Sequence, residues 1–242
     1  MADPTLIAKA AEIAVEAGGA LEKEAHGFLK TILKPPAQAL GGLLADQISA
    51  FRHGNLIKIV VRAKRKLEEA GVSPKEAPLK IIHPLLEAAS LEDEPDLQEM
   101  WVCLLAGAAS DGTLFRSAFT DILRQLSSAE ARFLKRLTEW LESEIARYEA
   151  DPYKQGEFPS SRIGGFEKLS SMFLEANEIH GEDADSGEAR QFAAIAFDNL
   201  CRLGIMTGPT LGRSTYAMTN FGLHFLSRLQ DGKKVETAQK NS

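Results

Sequence analysis

Apolar residues recur at three- and four-residue spacing along most of the chain, and the polar, glycine and proline punctuation between them divides it into helices. From Asp3 to about Phe28 the stripe is Leu6, Ile7, Ala10, Ile13, Ala14 and Ala17, interrupted by Gly18-Gly19 because glycine costs helix stability. Pro35-Pro36 bars continuation and starts a long helix to about Glu69, with Leu40, Leu44, Ile48, Phe51, Ile59, Ala63 and Leu67 on one side. Gly71 stands just past its end, where glycine is favoured. Ala77 to Ser110 reads as two short amphipathic helices, the second announced by Glu92-Asp93-Glu94-Pro95-Asp96. Proline at the first helical position gives up a donor that has no helical partner, and carboxylates in the first turn complement the helix dipole. Met100, Trp101, Leu104, Leu105 and Ala108 then predict a single buried face.

Phe115, Phe119, Ile122, Leu123 and Leu126 form a short helical stripe. Ser127-Ser128-Ala129-Glu130 is a capping box opening a helix with Phe133, Leu134, Leu137, Leu141 and Ile145 inward. Asp151 to Gly165, dense in Pro, Gly and Ser, is the strongest loop signal, and a helical pattern resumes from Phe166 to about Ile179. After the acidic connection His180 to Gly187, Glu188 to Leu203 is helical, with Phe192, Ile195, Ala196, Leu200 and Leu203 predicted inward. The period then changes: Ile205–Thr207 and Thr215–Met218 read as two strands around a Gly-Pro turn, and Thr219 caps a last helix. Helix, hairpin and closing helix are the pattern of a winged-helix module. The expected fold is mainly α: a helical domain over 1–126, a winged-helix-like module with a short β-hairpin over 127–230, and a disordered tail over 231–242.

Composition adds little. A 44% hydrophobic, 26% charged chain is ordinary for a folded protein, and a net charge of −6 argues against nonspecific attraction of the whole molecule to nucleic acid. No apolar run is long enough to cross a bilayer, and the first residues show no secretory signal, so a soluble cytoplasmic protein is expected. Cys103 and Cys201 sit among apolar helical neighbours and read as reduced core thiols. Charge is unevenly distributed, with eight Lys or Arg against three Glu from Arg52 to Lys80, then six acids and no base from Glu87 to Glu99. Such blocks can face each other within the fold or between copies, although two solvated faces is the plainer expectation.

Candidate chemistry is confined to anion contacts. Lys58, Arg62, Arg65 and Lys66 lie close together on the long helix and form the first candidate strip for nucleic acid or another anion, with Arg52 and Lys64 nearby. No aromatic residues interleave with it as a single-strand platform would require, so a solvated face or a partner for the acidic block is favoured. The second candidate is the helix a winged helix would insert into a groove, offering Arg190, Gln191 and Arg202 outward, with Arg213 from the wing. Glu182-Asp183-Ala184-Asp185 precedes that helix and repels phosphates, which favours a protein-contact role for the module. The wing turn Gly208 to Ser214 is too short for a phosphate loop and precedes a strand. The five histidines are scattered without metal-ligand spacing, and no nucleophile motif stands out. No catalytic residue, metal or cofactor is assigned.

Three pieces carry a family resemblance. They are Gly-Gly-Leu-Leu-Ala-Asp leading into the basic helix, Val-Ser-Pro-Lys-Glu-Ala-Pro-Leu-Lys, and the helix pair containing Pro-Leu-Leu-Glu-Ala-Ala-Ser-Leu-Glu-Asp and Leu-Gln-Glu-Met-Trp. The stretch 40–110 resembles the core of the abortive infection alpha family, and the likeness continues through Phe119 to Leu137 into the wing. The resemblance implies a bacterial or phage-associated protein of phage defence, in which an infected cell stops growing before progeny mature. It supplies no catalytic residues. The expected function is a non-enzymatic abortive-infection protein acting through a protein partner or self-association of the charged helices. Two other classes stay open: a winged-helix nucleic-acid-binding regulator, and a membrane-acting effector suggested by Gly18-Gly19 and Gly41-Gly42 beside Ala- and Leu-rich helical stretches.

Overall fold

The computed structural model describes residues 19–33, 50–110, 117–151, 163–209 and 214–229. The expectations for residues 1–18, for Pro35-Pro36 and Gly41-Gly42, for Arg213 and for the tail 231–242 lie outside the described residues. The chain is mainly helical, with a small three-stranded antiparallel sheet near its C-terminal end. It divides between Arg124 and Gln125 into two compact units.

In the first unit, helix α1 covers 19–32, α2 is Ala50–Glu69, α3 is Leu79–Ala89, α4 is Pro95–Ser110 and α5 is Ala118–Leu123. Helix α4 occupies the centre and packs against α2, α3 and α5. The predicted stripe is buried, with Trp101 only 1% exposed, but Val102, Cys103, Ala106 and Ala109 are buried too. From Met100 onward the helix is apolar all round, as a core helix is, and the single buried face expected from the spacing is therefore an underestimate. Its start follows the sequence: Pro95 is the first helical residue and Asp96 lies in the first turn. Glu92 holds the turn, accepting from the Glu94 backbone N–H at 3.1 Å and from Trp101 Nε1 at 3.3 Å. A parallel bridge between Leu33 and Ala77 ties the end of α1 to the segment before α3, the Ala77 N–H donating to the Ile32 carbonyl at 2.9 Å.

The second unit runs α6 (Ser128–Glu149), β1 (Gly164–Gly165), α7 (Phe166–Ala176), a short 3-10 turn (Gly181–Asp183), α8 (Gly187–Arg202), β2 (Met206–Thr207), β3 (Thr215–Met218) and α9 (Asn220–Leu229). The sheet order is β1-β3-β2, all antiparallel, with Gly164 opposite Tyr216 and Met206 opposite Met218. The core is aromatic: Phe133, Phe173 and Phe197 meet at centroid distances of 5.2 to 5.9 Å, and Tyr216 stacks edge-on against Phe197 at 5.4 Å. Such tilted and edge-on pairs add about 0.5–1.5 kcal/mol each beyond area burial.

The capping box at Ser127 forms as the sequence requires, with the Ser127 hydroxyl accepting from the Glu130 N–H and the Glu130 carboxylate accepting from the Ser127 N–H at 2.7 Å. Thr219 caps α9 by accepting from the Gly222 N–H at 2.7 Å. Gly222 itself has no room for a side chain, because a Cβ there would overlap the Ile205 carbonyl.

Two expectations are corrected. The end of the predicted loop at Asp151–Gly165 is strand β1, preceded by Ile163, which is 1% exposed and donates its N–H to the Tyr216 carbonyl at 3.1 Å. Glycine is depleted in strands, so the Gly164-Gly165 pair disguised the element. The inward set of α8 is Ala189, Ala193, Ala196, Phe197 and Leu200. Phe192 and Ile195, predicted inward, are 42% and 60% exposed.

Candidate interaction surface

The basic strip is built on α2, and most of its cations are paired with carboxylates of their own unit. Arg62 pairs with Glu99 on α4, and Lys66 Nζ meets the other Glu99 oxygen at 3.1 Å. Facing the other way, Lys64 Nζ lies 3.0 Å from Glu24 on α1 and 3.2 Å from Glu68, while Arg65 reaches Glu24 at 3.8 Å. Arg52 donates two hydrogen bonds to the Ser90 hydroxyl. Lys58 is exposed. The acidic block thus meets the basic one within the fold at Glu99, and the expectation of two solvated faces is replaced by internal pairing there.

The same corner holds a thiol. Burial pushes Cys103 above the usual cysteine value. Burial also pulls the Lys66 ammonium down, but neighbouring Cys103 and Glu99 outweigh it and its pKa stands raised. Burial, the largest influence on the thiol, opposes the thiolate form that makes a cysteine nucleophilic.

Helix α8 presents a different surface. Ser186 starts it, its hydroxyl accepting from the Ala189 N–H at 3.1 Å. At its end Gly204 adopts φ +74, and the Ile205 N–H closes on the Leu200 carbonyl at 3.0 Å with the Gly204 N–H on Cys201. Those paired bonds are the Schellman stop. The helix is clamped from beneath by Asn199, whose amide donates to Glu130 Oε1 at 2.7 Å, so the α6 capping carboxylate also fixes α8. Phe192 and Phe173 meet edge to face at a centroid distance of 5.1 Å, and Phe192 stays partly open to solvent.

Of the predicted outward residues, Arg190, Gln191 and Arg202 are all exposed. Arg190 pairs with Glu167 of α7 at 3.1 Å. Arg202 donates to Gln125 Oε1 at 3.1 Å and to Asn199 Oδ1 at 2.6 Å, both neutral oxygens. Asp198 is exposed on the same helix, and with burial it pushes the Cys201 thiol up; burial, then Cys201 and Asp198, raise the Tyr216 phenol. Arg190, Gln191 and Arg202 therefore share one helix with two exposed apolar side chains and the exposed acids Glu188 and Asp198. The strip Lys58, Arg62, Arg65 and Lys66 lies in the other unit.

The exposed apolar pair is what sequence reasoning missed. Ala196 and Leu200 of the predicted set are buried as expected, but Ala189, Ala193 and Phe197 complete the inward face in place of Phe192 and Ile195, whose aromatic and branched side chains suggested burial. Among the described residues no group of three or more His, Cys, Asp or Glu is placed to hold a metal ion. No described helix is long and apolar enough to cross a membrane.

No curated protein and no solved structure matches the chain. The profile of the abortive infection alpha family matches residues 55–228, from the second turn of α2 almost to the end of α9. With most of its length inside that match, the chain belongs to the abortive infection alpha family.

Proposed function

We propose that this protein serves abortive infection as a non-enzymatic component that works through protein contacts, made by the outward face of α8. The observation that carries the reading is the exposure of Phe192 and Ile195 on an otherwise well-capped and clamped helix. A large apolar side chain left uncovered beside polar neighbours is the composition of a contact centre with a polar rim. A phosphate-binding face needs several uncommitted cations, whereas here Arg190 is paired with Glu167 and Glu188 and Asp198 add negative charge. Phage plating with Ile195→Asp tests it: protection should fall although the purified variant keeps its far-UV and near-UV spectra.

A second reading has its own support. The order helix, strand, helix, helix, hairpin with sheet order β1-β3-β2 is what a winged helix requires, and α8 is then the helix that would enter a groove. On α8, Gln191 and Arg202 are exposed and of residue types that contact bases or phosphates. A low-salt mobility shift of duplex DNA or RNA that Arg202→Glu removes would favour this reading; unchanged mobility would dispose of it.

A further inference from the structure

We infer that the outward face of α8 pairs with the same face of a second copy of this chain, antiparallel about a two-fold axis through Ile195. The inference rests on the protein-contact reading and names the partner. Glu188, Ile195 and Arg202 stand at seven-residue intervals along one stripe of the 16-residue helix, and Gln191 and Asp198 lie beside it at heptad spacing. The stripe is acidic at its N-terminal end, apolar at its centre and basic at its C-terminal end. An isologous contact requires a surface that is complementary to itself when turned through 180°. Turned about Ile195, this one brings Glu188 opposite Arg202 of the other copy, at both ends at once.

The burial pattern fits that pairing. Ile195 is 60% exposed, the most exposed of the large apolar side chains described, and it stands where the axis would pass. Phe192, braced by Phe173 on one side, would flank the axis as a preformed anchor. Arg202 bonds only neutral amide oxygens, so its charge has no carboxylate partner among the described residues. Glu188, at the first turn of α8, has no ion-pair partner among them either. A parallel arrangement would set Glu188 against Glu188 and Arg202 against Arg202, which is repulsive. One helix of about 24 Å buries less than the roughly 800 Å² per partner of a standard interface, so the dimer should be reversible and concentration-dependent.

The test is sedimentation equilibrium on the intact chain at low salt over a concentration series. Wild type should pass from monomer to dimer, and Ile195→Asp should stay monomeric. Glu188→Arg and Arg202→Glu should each raise the dissociation constant about tenfold, since every reversal creates two like-charge contacts. The double exchange Glu188→Arg/Arg202→Glu should return it to near the wild-type value. A chain that is monomeric at every concentration, or a double exchange no better than the single ones, overturns the inference. If the chain is monomeric while Ile195→Asp still abolishes phage protection, self-pairing falls and the protein-contact reading stands. If it dimerises as described while that variant protects fully, the contact reading falls instead.

Discussion

Helices α2 and α8 are both surface helices with charged residues facing outward, and their own units treat them in opposite ways. Around α2 the fold supplies carboxylates: Glu99 takes Arg62 and Lys66, and Glu24 takes Lys64 and Arg65. Around α8 it supplies one carboxylate for Arg190 and leaves Phe192 and Ile195 open. A conspicuous charge block is thus weak evidence of a ligand site, because neighbouring elements can pair with most of it. Two misplaced apolar residues say more, since covering them would have stabilised the isolated chain at little cost.

The largest expected effect separates the two faces of α8. Phe197→Ala, which removes the ring at the centre of the aromatic core, should destabilise the second unit by about 3–5 kcal/mol in urea unfolding. Ile195→Asp on the outward face should lose no more than about 1 kcal/mol, chiefly through helix propensity. Equal losses would break the assignment of inward and outward faces. Next in size is Gly222→Ala in α9, which should cost about 1–3 kcal/mol because its Cβ needs the space of the Ile205 carbonyl.

On the α2 side the effects are smaller. Glu99→Gln leaves Arg62 and Lys66 without their carboxylate at a half-exposed site, so the loss should be about 1 kcal/mol or less in the same unfolding experiment. A rise in stability on that change would contradict internal pairing. The smallest effect is alkaline. Lys66 and Cys103 have raised pKa values when folded, so the folded state holds its protons more tightly than the unfolded chain. Their contribution is fully present below the ordinary thiol and ammonium range and is lost as pH rises through the folded values. Urea midpoints should therefore fall from about pH 9 upward, and Cys103→Ser should flatten the early part of that decline.

Much of this arrangement was legible in the sequence because it is local. The Ser127–Glu130 box, the Pro95 start of α4, the Thr219 cap and the β2–β3 hairpin each depend on residues a few positions apart. What escaped depends on distant partners. Gly164-Gly165 becomes a strand because β3 offers it a free edge, and no local pattern signals that. Glu99 reaches back to α2, and Glu24 lies about as far before it, so ion pairing could be suspected from block charge but not assigned to residues. On α8 two stripes of equal periodicity overlap, and only the packing of Phe197 among Phe133, Phe173 and Tyr216 decides between them.

One phage plating and survival experiment compares the two helices head to head. Cells carry the wild-type chain, Ile195→Asp on α8, or Lys58→Glu/Arg65→Glu on α2, expressed to equal levels. The α8 variant should lose protection while the α2 variant keeps it. Full protection by Ile195→Asp together with loss in the α2 variant would contradict that expectation.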